Sequence, residues 1–277
     1  MFFINTVCLW AAAQYFGRNK PTYKAFGFRV LQSEHFNFYY YDEKDPALLI
    51  LASLAEEWYH RHSNTLNNEI EFRNPIVIYK NHGDFQQTTA TPQSISVGTG
   101  GFTDVMKNRV VMPYANVQAQ TNHVLGHELV HAFQFNLLFN TDSLSLNQLK
   151  NLPLWMVEGM AEYMTLGTKS AQTAMYLRDA VLNDKLPSFR QLSRDPVYNP
   201  YRYGHAFWAF VTKNWGDTII RPLISATGKT GYEPAIMNVL GISADSLARA
   251  WHQSTTEDCI DAMQKCDTLP VGKKLLF

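Results

Sequence analysis

The chain has 277 residues with 24 basic and 24 acidic side chains, and its formal net charge is zero. That length can bury a sizeable core, and a hydrophobic content of 46% excludes wholesale disorder. The even charge balance argues against a dedicated nucleic-acid binder, no apolar run is long enough to span a membrane, and three cysteines are too few for a disulfide-built scaffold.

The first residues stand apart. Phe2 to Ala13 is apolar except for Asn5 and Thr6, and it ends in three alanines before a polar stretch. This resembles the apolar core and cleavage site of a secretory signal, although no Lys or Arg precedes it. Residues 1–13 are therefore expected to be the remnant of a signal peptide, and the protein to be exported. The competing expectation is a buried N-terminal strand or helix. Cys8 would leave with the signal. Cys259 and Cys266 fall in or beside a helical-looking stretch, 255–265. Seven helical residues rise about 10 Å, whereas a disulfide needs Cα atoms within roughly 7 Å. The two pair only if the helix ends between them.

Phe28 to Tyr41 is rich in Phe, Tyr and Val and reads as strand. Pro46 opens an amphipathic helix to about Asn64, with Leu49, Leu51, Leu54, Ala55 and Trp58 on its buried face. Pro75 to Lys80 reads as a short buried strand, and residues 91–101, with Gly98, Gly100 and Gly101, as a loop. Arg109 to Tyr114 is a further strand, placed at a sheet edge because Pro113 cannot donate to a ladder. From about Val117 helical patterns dominate, at 118–139, 153–166, 169–183, 203–214, 217–226 and 243–265. Strands first and helices second indicate an α+β fold. The expected divisions are a strand-rich subdomain over 14–116, a helical subdomain over 117–268 and a tail or linker over 269–277.

The sharpest feature is His127-Glu128-Leu129-Val130-His131. Positions i and i+4 share a helix face, so both imidazoles can reach one ion. Glu128 sits about 100° around the axis, able to reach a water on the metal without being a ligand. Gly126, just before the first histidine, is expected to let another backbone approach. A zinc hydrolase needs a third protein ligand and one open position. The stretch from Leu152 to Tyr163 supplies a second helix on which Glu158 and Glu162 share an otherwise apolar face. Two buried carboxylates need a cation or donors nearby. A Zn²⁺ for Glu158 and an imidazole N–H for Glu162 satisfy both, and Gly159 lets helices touch. His123 is a spare histidine on the His127 face. His60 and His62, two residues apart on a helix, cannot easily share an ion, and His35 is expected to be half exposed.

The pair HELVH and PLWMVEGMAEY resembles the gluzincin metallopeptidases, the peptidase MA-like families, of which thermolysin and aminopeptidase N are distant members. The resemblance implies a zincin-like fold with the zinc site between the two subdomains. It makes His127, His131 and Glu158 the zinc ligands, Glu128 the general base and Glu162 the acid that orients a ligand histidine. Between His131 and Glu158 stand 26 residues, 132–157, more than in aminopeptidase N-like enzymes. The extra length is assigned to a polar loop, Asn140 to Asn151. The GAMEN motif that holds a free N-terminus is absent. Tyr203, opening a helix that carries Phe207 and ends at Trp215-Gly216, resembles the group that stabilises the oxyanion in such enzymes, with His205 as the second candidate. By the same architecture, Gly98 to Thr103 and the strand after it would align an extended peptide by backbone pairing.

The function expected is zinc-dependent hydrolysis of a peptide bond, on a peptide or protein substrate. The alternative is a non-catalytic, zinc-stabilised binding module of a larger exported protein. MA-like domains also stand at one end of longer proteins, in some cases ahead of a β-propeller, and the tail would then be the junction to such a domain. A purely structural site has no use for a carboxylate at position 128, which favours catalysis.

Overall fold

The computed structural model describes residues 22–42, 46–139 and 145–265. Residues 1–13, Cys8, Cys266 and the tail 269–277, with the expectations attached to them, lie outside the described residues. Strands β1 (Arg29–Gln32) and β2 (Phe36–Tyr40) form a hairpin. Helix α1 (Ala47–Leu66) leads to β3 (Asn74–Tyr79). The short helix α2 (His82–Phe85) and a loop then precede β4 (Phe102–Asp104) and β5 (Arg109–Pro113). They make one five-stranded sheet in the order β1-β2-β3-β5-β4. The three middle strands run parallel, because the connections between them cross over, and the two outer strands are antiparallel.

The single strand expected over 28–41 is two strands. Ser33 N donates to Phe36 O at 3.0 Å and closes a turn. The expected edge position of β5 is also corrected. β5 lies between β3 and β4, and the edge is β4. β4 pairs only with Arg109 to Val111, so Pro113 extends past it. The missing N–H of Pro113 therefore breaks no ladder, and pairing with β3 continues through Tyr114 N to Tyr79 O at 2.9 Å.

Alternation along the strands gives the sheet two buried faces. Phe36, Phe38, Ile76, Ile78, Val110 and Met112 face the main core under α1 and the helical half. Tyr79, Val111, Phe85 and Ile95 form a smaller cluster on the other side. On α1 the buried line is Leu48, Leu51, Ala55, Trp58, Tyr59, His62 and Leu66. Leu49, expected on that face, is 69% exposed, and Leu48 takes its place.

The helical half comprises α3 (Gln118–Phe139), α4 (Ser145–Asn151), α5 (Leu154–Leu166), α6 (Ala171–Leu182), α7 (Phe189–Arg194), α8 (Pro200–Trp215), a 3₁₀ turn at Asp217–Ile219, α9 (Ile220–Thr230), α10 (Tyr232–Leu240) and α11 (Ala244–Gln264). Helix α4 occupies part of the expected loop and is tied to α9 by Asn151 Nδ2, which donates to Gly228 O at 3.0 Å. Helices α7 and α10 were not legible as separate periods. An aromatic stack fixes α5 in place. The Trp155 ring stacks on Phe189 at 5.3 Å and meets Phe207 edge-on at 4.8 Å, and Phe189 stacks on Trp251 at 5.8 Å. Each such buried ring contributes on the order of 2–3 kcal/mol, so the helix carrying Glu158 is clamped by α7, α8 and α11. Among the described residues no helix is long and apolar enough to cross a membrane.

Candidate active site

Helix α3 runs between the sheet and α5. Leu125, Leu129, Val130, Ala132 and Phe133 are fully buried, and the three polar residues between them, His127, Glu128 and His131, are 7–8% exposed. Gly126 admits a ring rather than a backbone: a Cβ there would lie 2.7 Å from Trp58 Cε2. His62 of α1 bonds the Gly126 carbonyl through Nε2 at 3.0 Å. α1 thus holds the first turn of the motif from behind.

Burial is the main cause that depresses His62, to about 3, against the hydrogen bond to Gly126. His62 is therefore neutral in the fold, while an unfolded-chain histidine protonates near 6.5. Below about pH 6.5 the unfolded state binds one more proton than the folded state. Stability is fully present above that pH and falls by about 1.4 kcal/mol per unit as pH drops toward 3. In His62→Gln, urea denaturation at several pH values is expected to show a slope shallower by about one proton between pH 6 and 4. An unchanged slope would show that His62 does not stay neutral.

The motif's two histidines meet Glu158 of α5. His127 Nε2 and His131 Nε2 are 3.2 Å apart. Glu158 Oε2 lies 3.2 Å from the first and 3.3 Å from the second. These three residues are able to hold a metal ion. One helical turn along α5, Glu162 is 2% exposed and joins three groups. Its Oε1 lies 3.1 Å from His127 Nδ1 and 3.2 Å from His123 Nε2, and its Oε2 accepts from Arg202 Nη1 at 2.7 Å. Glu162 therefore faces one nitrogen of His127, and the other nitrogen points at His131 and Glu158. His131 Nδ1 pairs with Gln134 Oε1 at 2.8 Å, and Gln134 Nε2 donates to Val157 O at 3.0 Å, so α5 orients this ring as well. His123, expected only as a spare, is drawn into the cluster through Glu162.

The electrostatics follow the geometry. Burial works against the His127 cation, but contacts with Glu158 and Glu162 outweigh it and push the ring up to about 10. Burial raises the Glu158 carboxyl, and hydrogen bonds from the two histidines more than reverse that, to about 2. Glu162 is displaced downward for the same reason, against burial, by His123, His127 and Arg202. Glu158 and Glu162 thus favour positive charge beside them.

Glu128 turns toward the sheet. Its Oε2 lies 2.8 Å from Thr103 Oγ1 on edge strand β4, and the same hydroxyl is 2.9 Å from the Glu128 carbonyl. Gly101 leaves room for this approach: a Cβ there would sit 3.3 Å from Glu128 Cγ and 3.2 Å from Met112 Cβ. The edge strand and the motif are thus in direct contact.

The structure does not bring Tyr203 to the triad. Its ring is 6% exposed and packs on Tyr198 and Tyr176, at 5.6 and 6.4 Å between centroids. His205, the second candidate, bonds the Gly167 carbonyl through Nε2 at 2.9 Å and is buried elsewhere. The tyrosine beside the triad is Tyr201, whose ring lies 5.9 Å from that of His127 at 26°. Burial, then the charges of Glu158 and Glu128 and a contact with Glu158, raise its phenol. The reason is where α8 starts. Asn199 caps it, accepting from Tyr201 N at 3.0 Å and Arg202 N at 3.2 Å, with Pro200 in the first turn. Positions 201 and 203 are about 200° apart on the helix, so only one can face α5. The Asn-Pro pair is a standard helix-start signal, and reading it would have placed the helix start at 200 and Tyr201 in its first turn.

Two of these contacts depend on bare backbone. A Cβ on Gly159 would fall 2.3 Å from Gly204 Cα, and one on Gly204 would fall 1.9 Å from Trp155 O. Helices α5 and α8 therefore cross with no side chain between them, which brings Tyr201 and Arg202 up to Glu158 and Glu162.

No curated protein matches the sequence. A family model described as peptidase of plants and bacteria matches residues 102–251, from edge strand β4 to α11. That span covers more than half of the chain and contains Thr103, the His127–His131 motif, Glu158, Glu162 and Tyr201, and the chain belongs to this family of peptidases.

Proposed function

We propose that the chain is a zinc-dependent metallopeptidase of gluzincin type, with His127, His131 and Glu158 as ligands and Glu128 as general base. One observation carries the reading. The ligand atoms form a triangle with sides of 3.2, 3.2 and 3.3 Å. Bonds of 2.0–2.1 Å at tetrahedral angles require sides of about 3.3–3.4 Å. A zinc ion could take these three atoms as one face of its tetrahedron and keep a fourth position for water or substrate. Two imidazoles and one carboxylate are also a donor set that zinc hydrolases use.

A zinc ion bound there would acidify a water and polarise the scissile carbonyl. Glu128, one position on from His127, accepts the proton and returns it to the leaving amine. Thr103 holds one of its oxygens and leaves the other free. Glu162, 3.1 Å from His127 Nδ1, would favour the tautomer whose Nε2 carries the lone pair, and Arg202 balances the Glu162 charge. The phenol of Tyr201 stands where it can donate to the oxyanion, taking the role expected of Tyr203. β4 offers an open strand edge beside Glu128, on which an extended peptide can pair.

The test is metal content and peptide hydrolysis together. Wild type is expected to carry one zinc at this site and to cleave a quenched-fluorescence peptide pool. Glu158→Ala is expected to lose the ion of this site and the activity. A zinc content in Glu158→Ala equal to that of wild type would overturn the ligand assignment. Zinc held with no cleavage of any peptide would favour the binding-module alternative. Tyr201→Phe is expected to keep its metal and lower kcat by about 10²–10³-fold, the usual effect of removing one oxyanion donor. An equal loss in Tyr203→Phe with none in Tyr201→Phe would reverse that choice.

A further inference from the structure

A second cluster of metal-binding side chains lies on the other side of α1, outside the span that matches the peptidase family. Glu56 and His60 are four residues apart and share a face of α1. The β1–β2 turn lays His35 against that face. One ligand atom from each of the three lies within 4.8 Å of the others. His35 Nδ1 is 2.6 Å from Glu56 Oε2.

The cluster is held in place from outside. The second oxygen of Glu56 accepts from Ser33 Oγ at 2.5 Å and from His35 N at 3.0 Å. The His35 ring stacks on Tyr59 at 3.7 Å and 17°. The His60 ring stands edge-on to His35, 5.3 Å away at 86°. His60 is exposed, so its ring is free to turn a nitrogen inward. Arg73 donates to the Ser33 carbonyl at 2.9 Å.

We propose that His35, Glu56 and His60 form a second metal site, for a divalent transition ion such as zinc, that clamps the β1–β2 turn to α1. Two imidazoles and one carboxylate select zinc, nickel or copper over calcium or magnesium, which prefer oxygen. A bound ion would replace the direct His35–Glu56 contact, moving His35 Nδ1 and Glu56 Oε2 from 2.6 Å to about 3.3 Å apart, and water would complete its coordination. The site touches none of the residues assigned to peptide hydrolysis. Its role is to tie a sheet edge to the helix that backs the motif through His62.

The experiment is zinc stoichiometry by native mass spectrometry, after equilibration with zinc and removal of the excess. Wild type is expected to hold two ions. His60→Ala, Glu56→Gln and Glu158→Ala each hold one, and Glu158→Ala/His60→Ala holds none. Because His60 is exposed, its variant is expected to fold and to keep peptidase activity. Zinc at roughly 100 times its dissociation constant is expected to raise the Tm of Glu158→Ala by about 5 °C and leave that of the double variant unmoved. A wild type with a single ion, or His60→Ala with the wild-type count, overturns the proposal. If Glu158→Ala keeps two ions and His60→Ala keeps one, the second site stands and the assignment of the first fails.

Discussion

Glu128→Gln is expected to lower kcat/KM by about 10²–10⁴-fold while zinc content and Tm stay at wild-type values. The magnitude is that of a general base removed from a proton transfer. The substitution is chosen because it changes little else. Glutamine keeps an oxygen for the Thr103 hydroxyl, 2.8 Å from Glu128 Oε2, and it fills the same volume beside Gly101. It cannot take up a proton. Position 128 is one residue from His127 and is turned toward β4, so it is not one of the three atoms of the triangle, and metal retention follows. Metal analysis and progress curves on the same preparation check this. Wild-type turnover in Glu128→Gln would remove Glu128 from the chemistry. A loss of zinc would make it a ligand.

The two clusters differ in how far the sequence could reach them. His127, His131 and Glu158 were legible because an i, i+4 spacing on one helix fixes two ligands, and a second helix with two carboxylates on an apolar face has few ways to be stable. Glu162 was read by the same argument, and its Oε1 lies 3.1 Å from His127 Nδ1. Tyr201 was missed because two tyrosines close together differ only in where their helix begins, and that boundary was set three residues late. The strand content was legible, but the order of strands was not. Pro113 argued for an edge, yet β4 is so short that the proline lies beyond it. His35, Glu56 and His60 were read separately, as a half-exposed strand residue and residues of an amphipathic helix. Nothing in the spacing of His35 relative to Glu56 shows that a turn at Ser33 folds one onto the other. Contacts within a helix are written in the period of the sequence, and contacts between elements depend on turns and crossings that the period does not encode.

Such a crossing sets the second large effect. Gly204→Ala is expected to destabilise the protein by about 3 kcal/mol or more and to reduce activity in whatever fraction still folds. Two effects of opposite sign compete. Alanine is the better helix former, by about 1 kcal/mol. Against that, its methyl would sit 1.9 Å from Trp155 O and 2.8 Å from Gly159 Cα. Both partners are backbone, so no rotamer change relieves the contact, and α5 and α8 must separate by more than an ångström. Overpacking of this kind costs about 1–3 kcal/mol where side chains can give way, and more where they cannot. The separation also draws Tyr201 and Arg202 away from Glu158 and Glu162. An error of about 1 Å in a catalytic arrangement costs roughly 10²-fold in rate. Urea denaturation gives the first quantity and kcat at a temperature below the transition gives the second. Gly126→Ala is the comparison, since its methyl would meet the Trp58 ring at 2.7 Å, and a ring can tilt. It is expected to lose less stability than Gly204→Ala. If the two lose the same, the α5–α8 backbone contact is not what holds the site together.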